Sequence, residues 1–231
     1  MSLYVIGDLH LSFGVEKPMD IFAGWENHTQ RLEKAWRDLI QPEDTIVLAG
    51  DSSWGMNMDE ALPDFQWIND LPGARKILLK GNHDYWWGTM AKMRKYFDEH
   101  GLTSLELLHN NHYAYGEYGI CGTRGWVNME PDEPANAKVN AREAQRLEVS
   151  LKSAEDAGLK PLAFLHYPPI YGSSCNFEVL EVLWRHPVAD CWYGHVHGRS
   201  LHSHAINGER DGIRYHLISS DFVQFVPQKI F

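Results

Sequence analysis

The sequence has 231 residues, which is long enough for one large domain, residues 1–231, whose core needs no disulfide staples. Its 21 Lys and Arg against 31 Asp and Glu give a formal net charge of -10, which disfavours non-specific binding to nucleic acid. Its three cysteines lack the paired spacing of metal ligands, and their odd number argues for free thiols in a reducing compartment.

Short apolar runs alternate with helical segments along the chain. In chain order, the predicted strands begin at Leu3, Asp44, Lys76, Leu162, Asp190 and Tyr215. The predicted helices between them cover residues 29–40, 88–101, 135–158 and 176–186, which have apolar residues at helical spacing or strong helix formers. The segments from His112 and from Tyr215 each indicate a hairpin, which adds antiparallel strands. The alternation predicts an α/β fold with much parallel pairing.

Polar side chains follow most of the predicted strands, at the point where each strand ends. Open α/β sheets bind ligands at the carboxyl ends of their strands, so we expect these side chains to meet. A single such motif is usually ordinary loop chemistry, whereas several in succession at strand ends indicate a site. The residues concerned are Asp8, His10, Asp51, Asn82, His166, His195 and His197.

These residue types predict a site for divalent transition metals, since imidazole and carboxylate together suit manganese, iron, zinc and nickel. Two ions held about 3.5–4 Å apart need a bridging group, and the carboxylate of Asp51 is the natural candidate. Asp8 and His10 would help to hold one ion, and Asn82 and His166 the other. The spacing leaves open which histidine of the motif "GHVH" joins which ion.

The motifs "DLH" at 8–10, "GD" at 50–51, "GNHD" at 81–84 and "GHVH" at 194–197, together with His166, resemble the signature of the calcineurin-like metallophosphoesterase superfamily. The resemblance extends over most of the chain. It implies a four-layer α/β/β/α sandwich with two mixed sheets, a dinuclear centre of two divalent metal ions, and hydrolysis of phosphate esters. It further implies that Asp8, His10, Asp51 and His197 hold one ion and that Asp51, Asn82, His166 and His195 hold the other.

Two departures separate the chain from the protein Ser/Thr phosphatases of this superfamily. Those enzymes carry Asp-Arg where this chain has Trp54 and Gly55, and they end the third motif in Glu where it has Asp84. Dephosphorylation of proteins is therefore disfavoured. The forms "GNHD" and "GHVH" are more similar to bacterial phosphodiesterases and predicted phosphohydrolases, so the expected substrate is a small phosphomonoester or phosphodiester.

The motif "GNHD" also predicts catalytic residues. Two ions that share a water lower its pKa and make a bridging hydroxide available as the nucleophile. His83 follows the predicted ligand Asn82 without being needed as a ligand itself, so it is the candidate general acid that protonates the leaving oxygen. Asp84 would accept a hydrogen bond from the other ring nitrogen of His83 and hold the ring in place.

Four further residues are candidates for contact with the substrate. Arg124 would clamp a phosphate, with a surface role as an equal alternative. Trp54 and Trp86 would form an aromatic wall and Tyr167 would line the same rim, with packing in the core as the alternative for the tryptophans. The segment 12–27 starts directly after a predicted ligand and is either a lid or a passive surface loop.

The expected location and partners depend on what the sequence lacks. The N-terminus has no signal-peptide pattern and no apolar run approaches the ~20 residues that span a bilayer, so we expect a cytoplasmic protein without membrane contact. The expected partner is a small phosphoester, nucleic acid is not expected, and the oligomeric state is open. The alternatives are a nuclease of the same superfamily, which the acidic charge disfavours, and a catalytically silent metal-binding scaffold, which the complete ligand set disfavours.

Overall fold

The computed structural model describes residues 1–126 and 134–231, except for the side chains of residues 134–136. The strands are β1 Leu3–Ile6, β2 Thr45–Leu48, β3 Arg75–Leu79, β4 Leu105–Leu108, β5 His112–Tyr115, β6 Tyr118–Thr123, β7 Lys160–Leu165, β8 Ile170–Tyr171, β9 Ser174–Cys175, β10 Asp190–Tyr193, β11 Gly208–Arg210, β12 Ile213–Leu217 and β13 Gln228–Lys229. The helices are α1 His28–Leu39, α2 Met58–Asp70, α3 Met90–Glu99, α4 Pro134–Asp156, α5 Phe177–Arg185 and α6 Arg199–His202. Within these described ranges, no helix combines the length and apolar character needed to cross a bilayer.

The first sheet contains four strands from the N-terminal half of the chain and one from the C-terminus. Its order is β13-β1-β2-β3-β4, in which β1 to β4 are parallel and β13 runs antiparallel to β1. Parallel neighbours need a crossover connection, and α1, α2 and α3 provide it after β1, β2 and β3. The apolar residues of these helices pack against the outer face of the sheet.

The second sheet has the order β11-β12-β10-β7-β6-β5. Its central strands β6, β7, β10 and β12 are parallel, whereas the edge strands β5 and β11 run antiparallel to their neighbours. Helices α4 and α5 cover its outer face with apolar side chains such as Leu151 and Leu183, both fully buried. The short pair β8-β9 lies in the connection between β7 and α5.

Side chains alternate along the strands between two different cores, as the pleat of a strand requires. In β1, Leu3 and Val5 are buried between the two sheets, while Tyr4 and Ile6 pack against the helices on the outer face. Phe164 of β7 enters the same inter-sheet core from the second sheet. The layers are helix, sheet, sheet and helix, which confirms the predicted α/β/β/α sandwich with two mixed sheets.

The carboxyl ends of strands from both sheets converge at one edge of the sandwich. Gly7, which follows β1, donates its N–H to the carbonyl of Ile218 after β12 at 2.9 Å, and so joins the two sheets. The N–H of Asp8 donates to the carbonyl of Gly50 at 2.9 Å. The N–H of Gly194 donates to the carbonyl of His166 at 3.1 Å. Backbone hydrogen bonds therefore connect the loops after β1, β2, β7, β10 and β12 at this edge.

Most of the predicted elements are confirmed, but one predicted hairpin is wrong and several elements of the structure, among them β4 and α2, are not among those predicted. Helix α2 is absent from the predicted elements because Pro63 stands in its interior, where proline normally ends a helix. In the structure it begins after Asn57, whose side chain accepts a hydrogen bond from the N–H of Glu60. The predicted hairpin from Tyr215 is wrong, since β12 pairs with β11 and β13 pairs with β1 in the other sheet.

Candidate metal centre

Three predicted ligands from two loops, the one after β1 and the one after β10, form a first group at the converging strand ends. Potential ligand atoms of Asp8, His10 and His197 all lie within 4.8 Å of one another. His10 Nε2 is 3.3 Å from His197 Nε2, which is 3.5 Å from Asp8 Oδ1. Asp8 and His10 are buried and the side chain of His197 is 30% exposed, so this group is open to solvent only from the His197 side.

A second group lies beside the first. Potential ligand atoms of Asp51, His166 and His195 also lie within 4.8 Å of one another. Asn82 Oδ1 is 2.7 Å from His166 Nε2 and 2.9 Å from His195 Nδ1, so the amide oxygen joins this group. The set contains one carboxylate, one amide and two imidazoles, a mixture typical of sites for divalent transition metals.

Asp51 stands between the two groups. Its Oδ2 lies 3.4 Å from His166 Nε2 in the second group and 3.8 Å from His10 Nε2 in the first. Its Oδ1 accepts a hydrogen bond from the N–H of His83 at 2.7 Å. One carboxylate oxygen therefore faces both groups, which is the geometry that a bridging ligand requires.

The backbone around these residues adopts conformations that side chains rarely take. Asp8, His10, Asp51 and His195 have φ angles of 61, 47, 52 and 72 degrees, all in the left-handed region. Such conformations cost free energy and persist where the surrounding structure enforces them, often at functional sites. These backbone conformations direct the four side chains toward a common centre immediately after the strands end.

Two adjoining glycines are required by close packing. A Cβ at Gly81 would lie 2.0 Å from Asp51 Oδ1, and a Cβ at Gly194 would lie 2.3 Å from Asp8 Oδ2. Real Cβ atoms essentially never come so close to another heavy atom. The glycines of "GNHD" and "GHVH" therefore let the backbone approach the two carboxylates.

The donors and acceptors of the second group fit a cation. His166 Nδ1 donates to the carbonyl of Ala49 at 3.1 Å, and burial lowers the pKa of the ring, so Nε2 carries a lone pair. That lone pair faces Asn82 Oδ1, which is another acceptor, at 2.7 Å. A positive ion between the two atoms would satisfy both lone pairs.

The charges of the protein groups also favour a cation. Burial and the charge of Asp8 raise the pKa of Asp51 to about 8. Burial alone would lower the pKa of His197, but the charge of Asp8 and the hydrogen bond to Asp221 outweigh it and raise that pKa to about 10. Both pKa values thus favour a bound proton at neutral pH, and metal ions bound at these groups would compete with those protons.

Comparison with known proteins identifies the family. The family model described as calcineurin-like phosphoesterase matches residues 1–199, which include every residue of both groups. The chain belongs to this family. Its members are phosphoesterases that use divalent metal ions, and the two groups of His and Asp found here are the corresponding candidate positions. Membership therefore supports metal-dependent hydrolysis of phosphoesters as the general activity class.

Individual relatives add support for the fold but not for a substrate. The "Gene 66 protein" of Mycobacterium phage L5 is 37% identical over 59 residues, which are 26% of this chain and only 28% of the phage protein. The protein of unknown function AQ665 from Aquifex aeolicus is 17% identical, with 99% of this chain and 95% of that chain covered at a TM-score of 0.52. The protein TT1561 of Thermus thermophilus is 12% identical, with 98% and 96% covered at a TM-score of 0.55.

The structure brings together all seven predicted metal ligands. The grouping of His197 with Asp8 and His10, and of His195 with His166, agrees with the arrangement that the family resemblance implies. Binding of metal ions by these residues stays a prediction.

Asp84 does not occupy its predicted position behind His83. Its carboxylate is fully buried and accepts hydrogen bonds from the N–H groups of Asp51, Ser52 and Gly81 at 2.9, 2.9 and 2.7 Å. The predicted hydrogen bond to His83 is wrong, because backbone amides of the two ligand loops surround the carboxylate instead. Asp84 clamps the loop after β2 to the loop after β3.

His83 lies at the edge of the first group. Its ring centroid is 4.4 Å from that of Trp54 and 5.7 Å from that of His10. Its Nδ1 is buried and has no hydrogen-bond partner among the described residues. Burial, followed by electrostatic interaction with His166 and His197, lowers its pKa. The predicted role as general acid is untested by these contacts.

The four candidates for substrate contact fall in different environments. Trp54 lines a cavity of about 410 Å³ that reaches His10 and His83, and Tyr167 lines a second cavity of about 260 Å³ beside His195. The predicted substrate contact of Trp86 is wrong, because the ring is 3% exposed and packs in the core. Its Nε1 donates to Asp84 at 3.0 Å.

Arg124 lies next to Trp126, which lines the second cavity, but is not itself part of the lining. Its guanidinium is 3.6 Å from the buried carboxylate of Glu143 and 5.3 Å from the centroid of the Trp126 ring. The side chain is 16% exposed. Its predicted contact with a phosphate is untested, and the pairing with Glu143 accounts for part of its charge.

Asp221 and Trp25 belong to the site but are absent from the residues predicted from the sequence. Asp221 Oδ1 accepts a hydrogen bond from His197 Nδ1 at 2.9 Å. It follows β12, so the rule that located the other polar residues at strand ends applies to it as well. Trp25 packs its ring against His10 and His197, with centroids 5.7 and 5.5 Å apart. No sequence signal distinguishes Trp25 from a core tryptophan.

Proposed function

We propose that the chain is a dinuclear metal-dependent phosphoesterase that acts on a small phosphoester, with residues 1–231 forming one catalytic domain. The observation that carries the proposal is the position of Asp51, whose Oδ2 faces both ligand groups. When bound, divalent ions there would neutralise phosphoryl oxygens and lower the pKa of a water toward neutrality. One ion would be held by Asp8, His10, Asp51 and His197, and the other by Asp51, Asn82, His166 and His195.

In this proposal His83 donates the proton to the leaving oxygen. Its N–H is bound to Asp51 Oδ1 at 2.7 Å, which fixes the residue beside the bridging carboxylate. The Trp54 ring limits rotation of the imidazole on one side. His83 lines the cavity of about 410 Å³ beside the first ligand group, so its ring can reach a leaving group bound there.

The first experiment tests whether the protein is an enzyme. Purified protein, stripped of metal and reloaded with Mn²⁺, Zn²⁺, Fe²⁺ or Ni²⁺, should hydrolyse bis-p-nitrophenyl phosphate or p-nitrophenyl phosphate. A chelator should abolish this turnover and added metal should restore it. No turnover with any of the four metals would refute the proposal.

The second experiment tests the role of His83. A general acid contributes about 10²–10⁴-fold, but only where the leaving group needs a proton. His83→Ala should therefore lose about that factor in kcat on an alkyl ester and far less on a p-nitrophenyl ester, with metal content unchanged. His100→Ala, at an exposed histidine on the C-cap of α3, is the control. Equal losses on both esters would contradict proton donation by His83.

A further inference from the structure

Two cavities adjoin the ligand groups on different sides. The first, of about 410 Å³, reaches His10, His83 and His197. Segment 12–27 and the loop after β2 form most of its wall, and the side chains there are apolar or aromatic. They are Met19, Phe22, Ala23, Trp25 and Trp54.

The second cavity, of about 260 Å³, reaches His195 and His197. Its wall comes from the loops after β6, β7 and β10, from β8 and from α6, and it is again largely apolar or aromatic. The lining side chains other than the two histidines are Trp126, Tyr167, Pro168, Tyr171, Val196 and Leu201. His197 is common to both cavities, so a phosphoryl group held at the ligand groups would have an apolar recess on each side.

The charges around the cavities disfavour further anionic groups. Asp221 is the one residue with a carboxylate or ammonium side chain among the described residues that line either cavity. Arg124 does not line the second cavity, and its guanidinium faces Glu143, a carboxylate that it shares with Arg142 and Arg146. A second phosphate on the substrate would therefore lose its hydration without gaining a dedicated partner, which is costly.

We propose that the substrate is a phosphodiester that carries an uncharged, apolar or aromatic group on each of its two ester oxygens. The leaving group occupies the first cavity, where His83 can reach its oxygen, and the other group occupies the second. This inference rests on the proposed function. A monoester has one organic group and would leave one cavity empty, whereas a diester fills both.

A series of phosphinates tests the inference without any bond cleavage. Dimethylphosphinate, methylphenylphosphinate and diphenylphosphinate are monoanions that differ in the number of aromatic groups. Their binding to Mn²⁺-loaded protein is measured by calorimetry. Burial of each ring should raise the affinity about tenfold, so diphenylphosphinate should bind about a hundredfold more tightly than dimethylphosphinate.

Partly exposed residues supply variants that should fold normally. Phe22→Ala truncates the first cavity wall and Leu201→Ala the second, and both side chains are about half exposed, at 52% and 47%. Each substitution should weaken the binding of diphenylphosphinate several-fold and leave the binding of dimethylphosphinate unchanged. In the double variant, the two losses of binding free energy should add. Ile21→Ala and Leu39→Ala are the matched controls, since these exposed side chains line neither cavity.

The outcomes separate the inference from the proposed function. If diphenylphosphinate binds no more tightly than dimethylphosphinate, or if only the first ring adds affinity, the inference is refuted even when phosphoesters are hydrolysed. If the affinities rise with each ring and only the cavity variants reduce them, the two recesses are supported. Absence of hydrolysis with every metal would instead refute the proposed function.

Discussion

Removal of the Asp221 carboxylate should weaken metal binding in one ligand group and spare the other. Asp221 Oδ1 accepts from His197 Nδ1 at 2.9 Å, and its Oδ2 accepts from the N–H of Gly198 at 2.7 Å. In addition, His202 Nε2 lies 3.2 Å from Asp221 Oδ2. These contacts orient the imidazole so that Nε2 points toward Asp8 and His10.

The magnitude follows from what the substitution leaves in place. Asp221→Ala keeps every ligand but frees His197 to rotate, and loss of such an orienting partner typically costs 10–100-fold in metal affinity, or about 1.4–2.8 kcal/mol. Asp221→Asn keeps one acceptor oxygen and loses the charge, so its effect should be intermediate. The group of Asp51, His166 and His195 contacts neither residue 221 nor 202 and should keep its affinity.

The assay is calorimetric titration of metal-free protein with Mn²⁺. Wild type should bind two equivalents, and Asp221→Ala should weaken one of them while leaving the other unchanged. Asp38→Ala, which removes an exposed carboxylate of α1, controls for the change in net charge. Two equivalents bound at wild-type affinity in Asp221→Ala would refute the orienting role, and equal weakening of both would indicate a general structural effect.

Three further predictions concern packing, stability and metal removal. Gly81→Ala should displace Asp51 and lower metal content, because its Cβ would lie 2.0 Å from Asp51 Oδ1, whereas Gly88→Ala, with nothing within 4 Å, should bind metal normally. Burial raises the pKa of Asp64 from 3.8 to about 6, so the folded state retains a proton that the unfolded state releases, and stability falls as pH rises across that range. Asp64→Asn should remove about 2 kcal/mol of this fall, measured as the free energy of unfolding in urea at pH 4 and at pH 6, and an equal fall in variant and wild type would contradict it. Metal at about 100 times its Kd should raise the free energy of unfolding by about 2.7 kcal/mol per site, and an unfolding temperature unaffected by chelator would argue against binding to the folded state.

The sequence predicts the fold class well because its signals are local. The alternation of apolar runs with helical spacing identifies the central strands of both sheets, and their carboxyl ends identify all seven candidate ligands. It fails at α2, where Pro63 obscures a helix that the packing of Phe65 and Ile68 stabilises. It also fails at β13, whose partner β1 lies at the opposite end of the chain. Long-range pairing of so short a strand has no local signature.

The candidate site is less predictable from the sequence where a side chain forms hydrogen bonds with the backbone. The motif "GNHD" places three polar residues in succession, and the sequence favours a relay in which Asp84 supports His83. In the structure Asp84 is instead surrounded by N–H groups of Asp51, Ser52 and Gly81. Every residue except proline has a backbone N–H. The identities of the neighbouring residues therefore do not reveal that a carboxylate will accept hydrogen bonds from the backbone.

Asp84 and His83, which are neighbours in this motif, both stabilise Asp51. Asp51 has a φ of 52 degrees, a conformation that must be stabilised by its surroundings, and Asp84 holds the N–H groups of Asp51 and Ser52 at 2.9 Å. The preceding residue, His83, donates its backbone N–H to Asp51 Oδ1 at 2.7 Å. Asp84 therefore holds the backbone of the proposed bridging residue while His83 holds its side chain. Substitution of Asp84 should consequently reduce metal content and stability together, whereas substitution of the His83 ring, which leaves its N–H in place, should reduce turnover alone.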